Sequence, residues 1–128
     1  MTQEEKQLLL KVLCAMLPYG VYVDAYSWQK DTPKLLVECV PEYVGEEIVV
    51  KGLAGRHSIK EIKPYLRPMS SMAEEEENEL TRIAVLGGYN DSVFNSFVVV
   101  DWLNKNKFDY HGLIPMGLAL EAPEGMYE

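Results

Sequence analysis

A thiol, an imidazole and a carboxylate are the smallest set from which this chain could build a nucleophile. Cys14 and Cys39 are its only cysteines, and His57 and His111 its only histidines. Asp109 and Glu121 are the acids nearest to His111 along the chain. Cys39 or Cys14 could attack as thiolate while His111 takes the proton and Asp109 orients the ring, because such triads are set by space rather than by order. The local patterns weigh against this reading. Cys14 falls in a helix-periodic run and Cys39 in an alternating one, places where cysteine acts far more often as a small buried hydrophobe. Metal chemistry has less to offer: the histidines stand more than fifty positions apart, without the local ligand spacings of structural zinc. Glu74–Glu77 has no glycine-turn loop to gather oxygens around a cation, so a solvated helix face accounts for it. Gly87 and Gly88 lack the lysine and the spacing of a phosphate loop, and a helix stop explains the pair. The sequence therefore predicts no catalytic residue, no metal site and no cofactor.

The residues that stand out instead are suited to recognition. Tyr65, Arg67, Trp102, Phe108 and Tyr110 belong to the residue types enriched at the energetic centres of protein interfaces or to the large aromatics near them. The competing reading is that Trp102 and Phe108 are core and that Tyr65 packs a connector onto a sheet, since large aromatics are highly buried on average. Sequence leaves both open.

The elements that must position these residues follow from a change of period. In Ile59–Glu77, Pro64 and Pro68 remove two backbone donors and push Lys63 and Arg67 toward extended geometry, which predicts a stiff connector. Ahead of it, Thr2 and Glu5 make a capping box, and Leu8, Leu9, Val12, Leu13 and Met16 share a helical face, predicting a helix over 3–17. Pro18, Tyr19 and Gly20 stop it. Val21, Val23 and Ala25 then alternate with Tyr22, Asp24 and Tyr26, Leu35, Val37 and Cys39 alternate with Leu36, Glu38 and Val40, and 46–53 reads as a third strand. Short turns between them predict an antiparallel meander. His57–Ile62 suits a short helical turn capped by Ser58.

After the connector, Ser71 and Glu74 form a second capping box and predict a helix from Met72, with the acidic run in its first turn and Gly87–Gly88 at its end. Phe94, Phe97, Val98, Trp102 and Leu103 would share the buried face of a third helix capped by Asp91 or Ser92. Asp109 would cap a short fourth through Leu113 and Ile114, ended by Gly117. Leu118–Ala122 would lie extended across the core, and 123–128 would be a flexible tail.

At 128 residues one domain is expected, and 48% apolar with 25% charged residues is ordinary for a chain with a real core. Twelve basic against twenty acidic side chains leave a net charge of −8. That field repels phosphate backbones and anionic lipid, so neither nucleic acid nor a membrane is an expected partner. No apolar run approaches the roughly 18 residues of a membrane span. Unpaired cysteine spacing and the absence of a leader pattern point to reduced thiols in the cytoplasm.

The blocks KPYLRPMSSM with its acidic helix start (Lys63–Glu77) and FDYHGLIPMGLALEAPEGMY (Phe108–Tyr127) resemble a family of small uncharacterised proteins of gut anaerobic bacteria, often encoded in prophage or other mobile-element regions. The chain departs from that pattern at Pro115, where a charged or small residue is expected after Leu113 and Ile114, and this leaves the length of the last helix open. The resemblance implies an intracellular accessory protein and assigns no activity. Together these readings predict an α+β fold: an N-terminal helix, a three-stranded antiparallel meander, and two to three C-terminal helices on one face of it. The expected function is a non-enzymatic interaction module, acting on another protein or by self-association. A small cysteine-dependent enzyme and an acidic DNA mimic are the alternatives.

Overall fold

The computed structural model describes residues 2–25, 34–36, 40–44, 47–52, 55–86 and 92–127. Helix α1 spans Gln3–Met16 and opens as the sequence requires: Glu5 N–H donates to Thr2 Oγ1 (3.1 Å) and Thr2 N–H to Glu5 Oε1 (2.9 Å). A 3₁₀ turn, Leu17–Tyr19, ends it, and Gly20 takes φ +76°, a backbone region that costs glycine nothing. The chain then enters β1 (Val21–Ala25), with Val21 and Val23 buried on one face.

Two sheets take the place of the expected single meander. One has four strands in the order β2 (Lys34–Leu36), β1, β6 (Ile62–Leu66), β7 (Leu120–Glu121); the other joins β3 (Val40–Val44), β4 (Glu47–Gly52) and β5 (Gly55–Ser58). β1 pairs antiparallel with β2 (Val21 with Leu36) and with β6 (Val23 with Pro64). β7 pairs with β6 in parallel (Tyr65 with Leu120), so this sheet is mixed. A parallel neighbour is available because two helices separate β6 from β7 and provide the crossover. The three-stranded antiparallel sheet is real but has different members: Glu47–Gly52, within the third expected strand, is its centre, and Val40–Val44 and Gly55–Ser58 flank it. Pro41 sits in the edge strand β3, where the missing donor is tolerated.

The proline connector is a strand as well. Ile62, Pro64 and Leu66 point into the core and alternate with half-buried Lys63 and Tyr65. The pairing of β6 with β7 covers only Tyr65 and Leu66, so at Pro64 the strand has β1 on one side alone. A proline there costs no ladder bond to β7.

α1 packs on the four-stranded sheet. Leu9, Leu13 and Met16 meet Val21, Val23, Ile59, Ile62 and Leu66, and the C-terminal segment adds Leu113, Leu118 and Ala119. Each of the Leu, Ile, Val and Met side chains contributes roughly 1.5–3 kcal/mol when fully buried. Two helices, not three, follow β6 among the described residues: α2 (Glu74–Leu86) and α3 (Ser92–Lys105). They form a second cluster in which Trp102, Leu103 and Phe108 are covered by Met72, Leu80, Ile83, Val99 and Tyr110.

α2 starts two residues later than Ser71–Glu74 suggests. Ser71 lies in a 3₁₀ turn, where its hydroxyl donates to Pro68 O (2.6 Å), and the reach-back bond is made by Glu76, whose Oε1 accepts from Ala73 N–H (3.1 Å). The fourth helix is absent because 110–117 forms turns. Asp109 still acts as a cap, accepting from Leu113 N–H (2.7 Å) and Ile114 N–H (2.9 Å). Leu118 and Ala119 are buried and lead into β7, close to the extended course expected. Pro123–Tyr127 curls back onto the sheet, as Tyr127 shows below. Cys39, the turn 30–33 and the helix stop at 87–88 lie outside the described residues.

Candidate functional site

Arg67 links the two clusters. Its backbone continues β6 as an isolated parallel bridge to Phe108: Arg67 N–H donates to Lys107 O (2.8 Å) and Asp109 N–H to Arg67 O (2.8 Å). Its guanidinium lies 4.2 Å from the Phe108 ring centroid and grips Glu76 with two bonds, Nη1 to Oε2 at 2.8 Å and Nη2 to Oε1 at 2.6 Å. Bidentate geometry of this kind makes a strong, directional pair. The guanidinium hydrogen bonds, with help from Ala73 N–H, hold the Glu76 carboxyl below its ordinary range against a smaller opposing effect of burial. Phe108 is fully buried and Trp102 is 6% exposed, their rings stacked 5.7 Å apart at 17°. Neither presents a recognition surface; both are core.

The other two expected residues are half-buried. Tyr110 donates its hydroxyl to the buried Asn104 Oδ1 (2.9 Å) and leans on the His111 ring at 4.4 Å. Tyr65 offers its carbonyl to the chain end: Tyr127 Oη–H donates to Tyr65 O (2.7 Å) and Tyr127 Oη accepts from Tyr22 N–H (2.9 Å). That hydroxyl ties β1 to β6, and burial raises its pKa. The five residues thus share a neighbourhood around the end of β6, but as structural groups rather than as one exposed face.

The thiol reading finds no assembled triad among the described residues. Cys14 lies on the exposed side of α1 rather than in the core, and no hydrogen bond joins it to His111. The Asp109 carboxylate is already engaged by two amides. Desolvation, with Lys11 nearby, lowers the pKa of exposed His111 against the pull of Asp109. Among the described residues no three of His, Cys, Asp and Glu gather as metal ligands. Nor, among them, is any helix long and apolar enough to cross a membrane.

Two features were not anticipated. The first is exposed apolar surface on α2 and α3: Phe97 is 72% and Val85 69% exposed, and Val100 is exposed one turn beyond Phe97 on α3. Phe97 was expected in the buried set, but Val99, Trp102 and Leu103 take the inner side of α3. The run from Phe97 to Val100 is apolar all round, so no period within it marks the inward side.

The second feature surrounds Lys107. This residue ends α3 with φ +63°, its N–H donating to Asn104 O (3.1 Å) while Phe108 N–H donates to Leu103 O (3.0 Å). That is a Schellman pattern with lysine where glycine is usual. The side chain is buried, with Nζ 5.5 Å from the ring centroids of both Tyr19 and Tyr127. Burial lowers its pKa. Tyr19 is fixed in turn by donating to Asp101 Oδ1 (2.5 Å), a bond that raises the phenol pKa. The lysines after Trp102 were legible only as a helix end, since nothing in KNKF says that one ammonium turns inward.

A scan of protein-family models and searches of curated proteins and of solved structures returned no match to this chain.

Proposed function

We propose that the protein is a non-enzymatic interaction module, an accessory factor of the mobile-element kind that the blocks around Lys63–Glu77 and Phe108–Tyr127 resemble. The observation that carries this reading is Phe97, a phenyl ring 72% exposed on α3 with Val100 one turn on. An exposed aromatic with an apolar neighbour on a rigid helix is the kind of anchor that fills a partner's pocket. Asp101 stands one turn from Phe97 on the same helix, and α2 next to it exposes Glu74, Glu75, Glu77 and Glu79. Exposed acids on the two helices that carry the apolar anchor favour a partner whose apolar pocket is flanked by lysine or arginine. A second copy of this chain is the poorer occupant, because each copy brings a net charge of −8.

The test places a photo-crosslinking benzoylphenylalanine at position 97 in cells of the source organism, then measures the purified captured protein against wild type and Phe97→Ser. The expected result is at least a tenfold weaker complex for the variant, and weakening of the wild-type complex as salt is raised. Crosslinks to the chain itself alone, or equal affinity for Phe97→Ser, would overturn the proposal.

A further inference from the structure

Among the described residues, the Lys107 ammonium is a buried cation with unused donors. Lys107 is 4% exposed, yet among the described residues its Nζ makes a single hydrogen bond, to Lys105 O at 2.9 Å, and no ion pair. An ammonium has three N–H donors, and a charge taken out of water is usually paired with an anion. The faces of Tyr19 and Tyr127 offset part of that cost, since ring faces attract cations at this range. Two N–H groups still have no acceptor among the described residues.

The same residue floors a cleft of about 410 Å³ lined by Tyr19, Gly20, Tyr22, Lys105 and Tyr127. The volume suits a small molecule. Among its described lining residues there are two lysines and no acid, in a chain with eight more acidic than basic side chains. The neighbouring cleft has the opposite character, with Glu75, Glu76, Glu121 and Glu124 in its wall. The backbone adds an independent observation. Lys107 is the one non-glycine residue with positive φ among the described residues, in a cap that glycine would fill without strain. Keeping a lysine there places an ammonium at the cleft floor at a conformational cost.

We infer that this cleft binds a small aromatic carboxylate, its carboxylate accepting the free N–H donors of Lys107 and its ring lying against the tyrosine walls. Neither Phe97 nor Val100 lines the cleft, so the failure of one proposal leaves the other standing.

Sodium benzoate is the probe, with benzyl alcohol as its uncharged counterpart. Titration followed by amide NMR is expected to give saturable shifts at Gly20 and Lys105–Lys107 with benzoate, and a response at least tenfold weaker with benzyl alcohol. Lys107→Gly removes the ammonium while suiting the backbone, so the variant should keep the native spectrum and lose benzoate affinity at least tenfold. Lys107→Met keeps the aliphatic stem and should lose it equally. In wild type the Lys107 ¹³Cε titration midpoint should rise when benzoate is present, a readout that needs no variant to fold. Lack of saturable shifts, equal binding of benzyl alcohol, or undiminished binding by Lys107→Gly would overturn the assignment.

Discussion

At the residue scale, burial separates aromatic side chains that the sequence presents as alike. Trp102 and Phe108 stack inside the second cluster, and Phe108 also carries the Arg67 guanidinium on its face. Truncating either ring leaves a cavity bordered by Leu80, Ile83 and Val99, so Trp102→Ala and Phe108→Ala should each cost about 3–5 kcal/mol. Phe97→Ser should change stability by no more than about 0.5 kcal/mol, because most of that ring already faces water. Urea denaturation of the three variants checks the contrast, and a loss for Phe97→Ser comparable to that for Trp102→Ala would show that the α3 face is covered. The sequence named Trp102 and Phe108 as residues of weight but could not say in which direction they point. Hydrophobic identity is local, whereas the side that gets buried is decided by α2, which packs on α3 from elsewhere in the chain. The same limit hid Lys107, whose interest depends on Tyr19 and Tyr127, nearly a whole chain length apart.

At the scale of elements, what was legible is what local chemistry over-determines. α1 has a capping box, an apolar period and a proline–glycine stop that all agree, and it forms within a residue of the expected bounds. α2 shows where agreement fails. SSMAEEEE offers several registers in which a glutamate sits three residues after a cap, and every one satisfies the local pattern. The register is settled by Arg67, nine residues upstream of Glu76, which grips that carboxylate and leaves Ser71 to close a 3₁₀ turn. Strand pairing was less legible still, since alternation reports that a strand exists and not which strand lies beside it. The Arg67–Glu76 pair has a pH signature whose sign follows from its cause. The folded-state pKa of Glu76 lies below its unfolded value, chiefly through the guanidinium bonds, so its contribution is complete above about pH 5 and disappears as pH falls through the lowered value. Glu76→Gln should lose about 1–3 kcal/mol at neutral pH and flatten the acid limb of the stability curve. Denaturant midpoints from pH 7 to pH 3 test this, and identical slopes for wild type and variant would show that Arg67 does not hold the carboxylate.

At the scale of the whole molecule, the two apolar clusters meet through backbone as well as side chains. Arg67 extends the central strand of the four-stranded sheet and, in the same residue, pairs with the segment that follows α3. Ala122 N–H donates to Leu66 O (2.8 Å) one residue earlier, and Tyr127 Oη bonds both Tyr65 O and Tyr22 N–H, so the C-terminal segment is bound at three successive residues, Tyr65, Leu66 and Arg67. Opening α2 and α3 alone would break the Arg67 bridge, expose Phe108 under the guanidinium and free Glu76, a combination that costs more than fraying a helix end. The sheet side fares no better by itself, because Leu113, Leu118 and Ala119 fill the cluster under α1 and reach it only through the chain that leaves α3. The amides of Leu9 and Leu13 in α1 and of Trp102 and Leu103 in α3 should therefore exchange with solvent through one common opening. Their exchange free energies should agree within about 1 kcal/mol and fall together with denaturant. Native-state hydrogen exchange measures both quantities, and protection of Trp102 and Leu103 several kcal/mol below that of Leu9 and Leu13 would mean that the helical pair is a separate unit which the Arg67 bridge does not bind to the sheet.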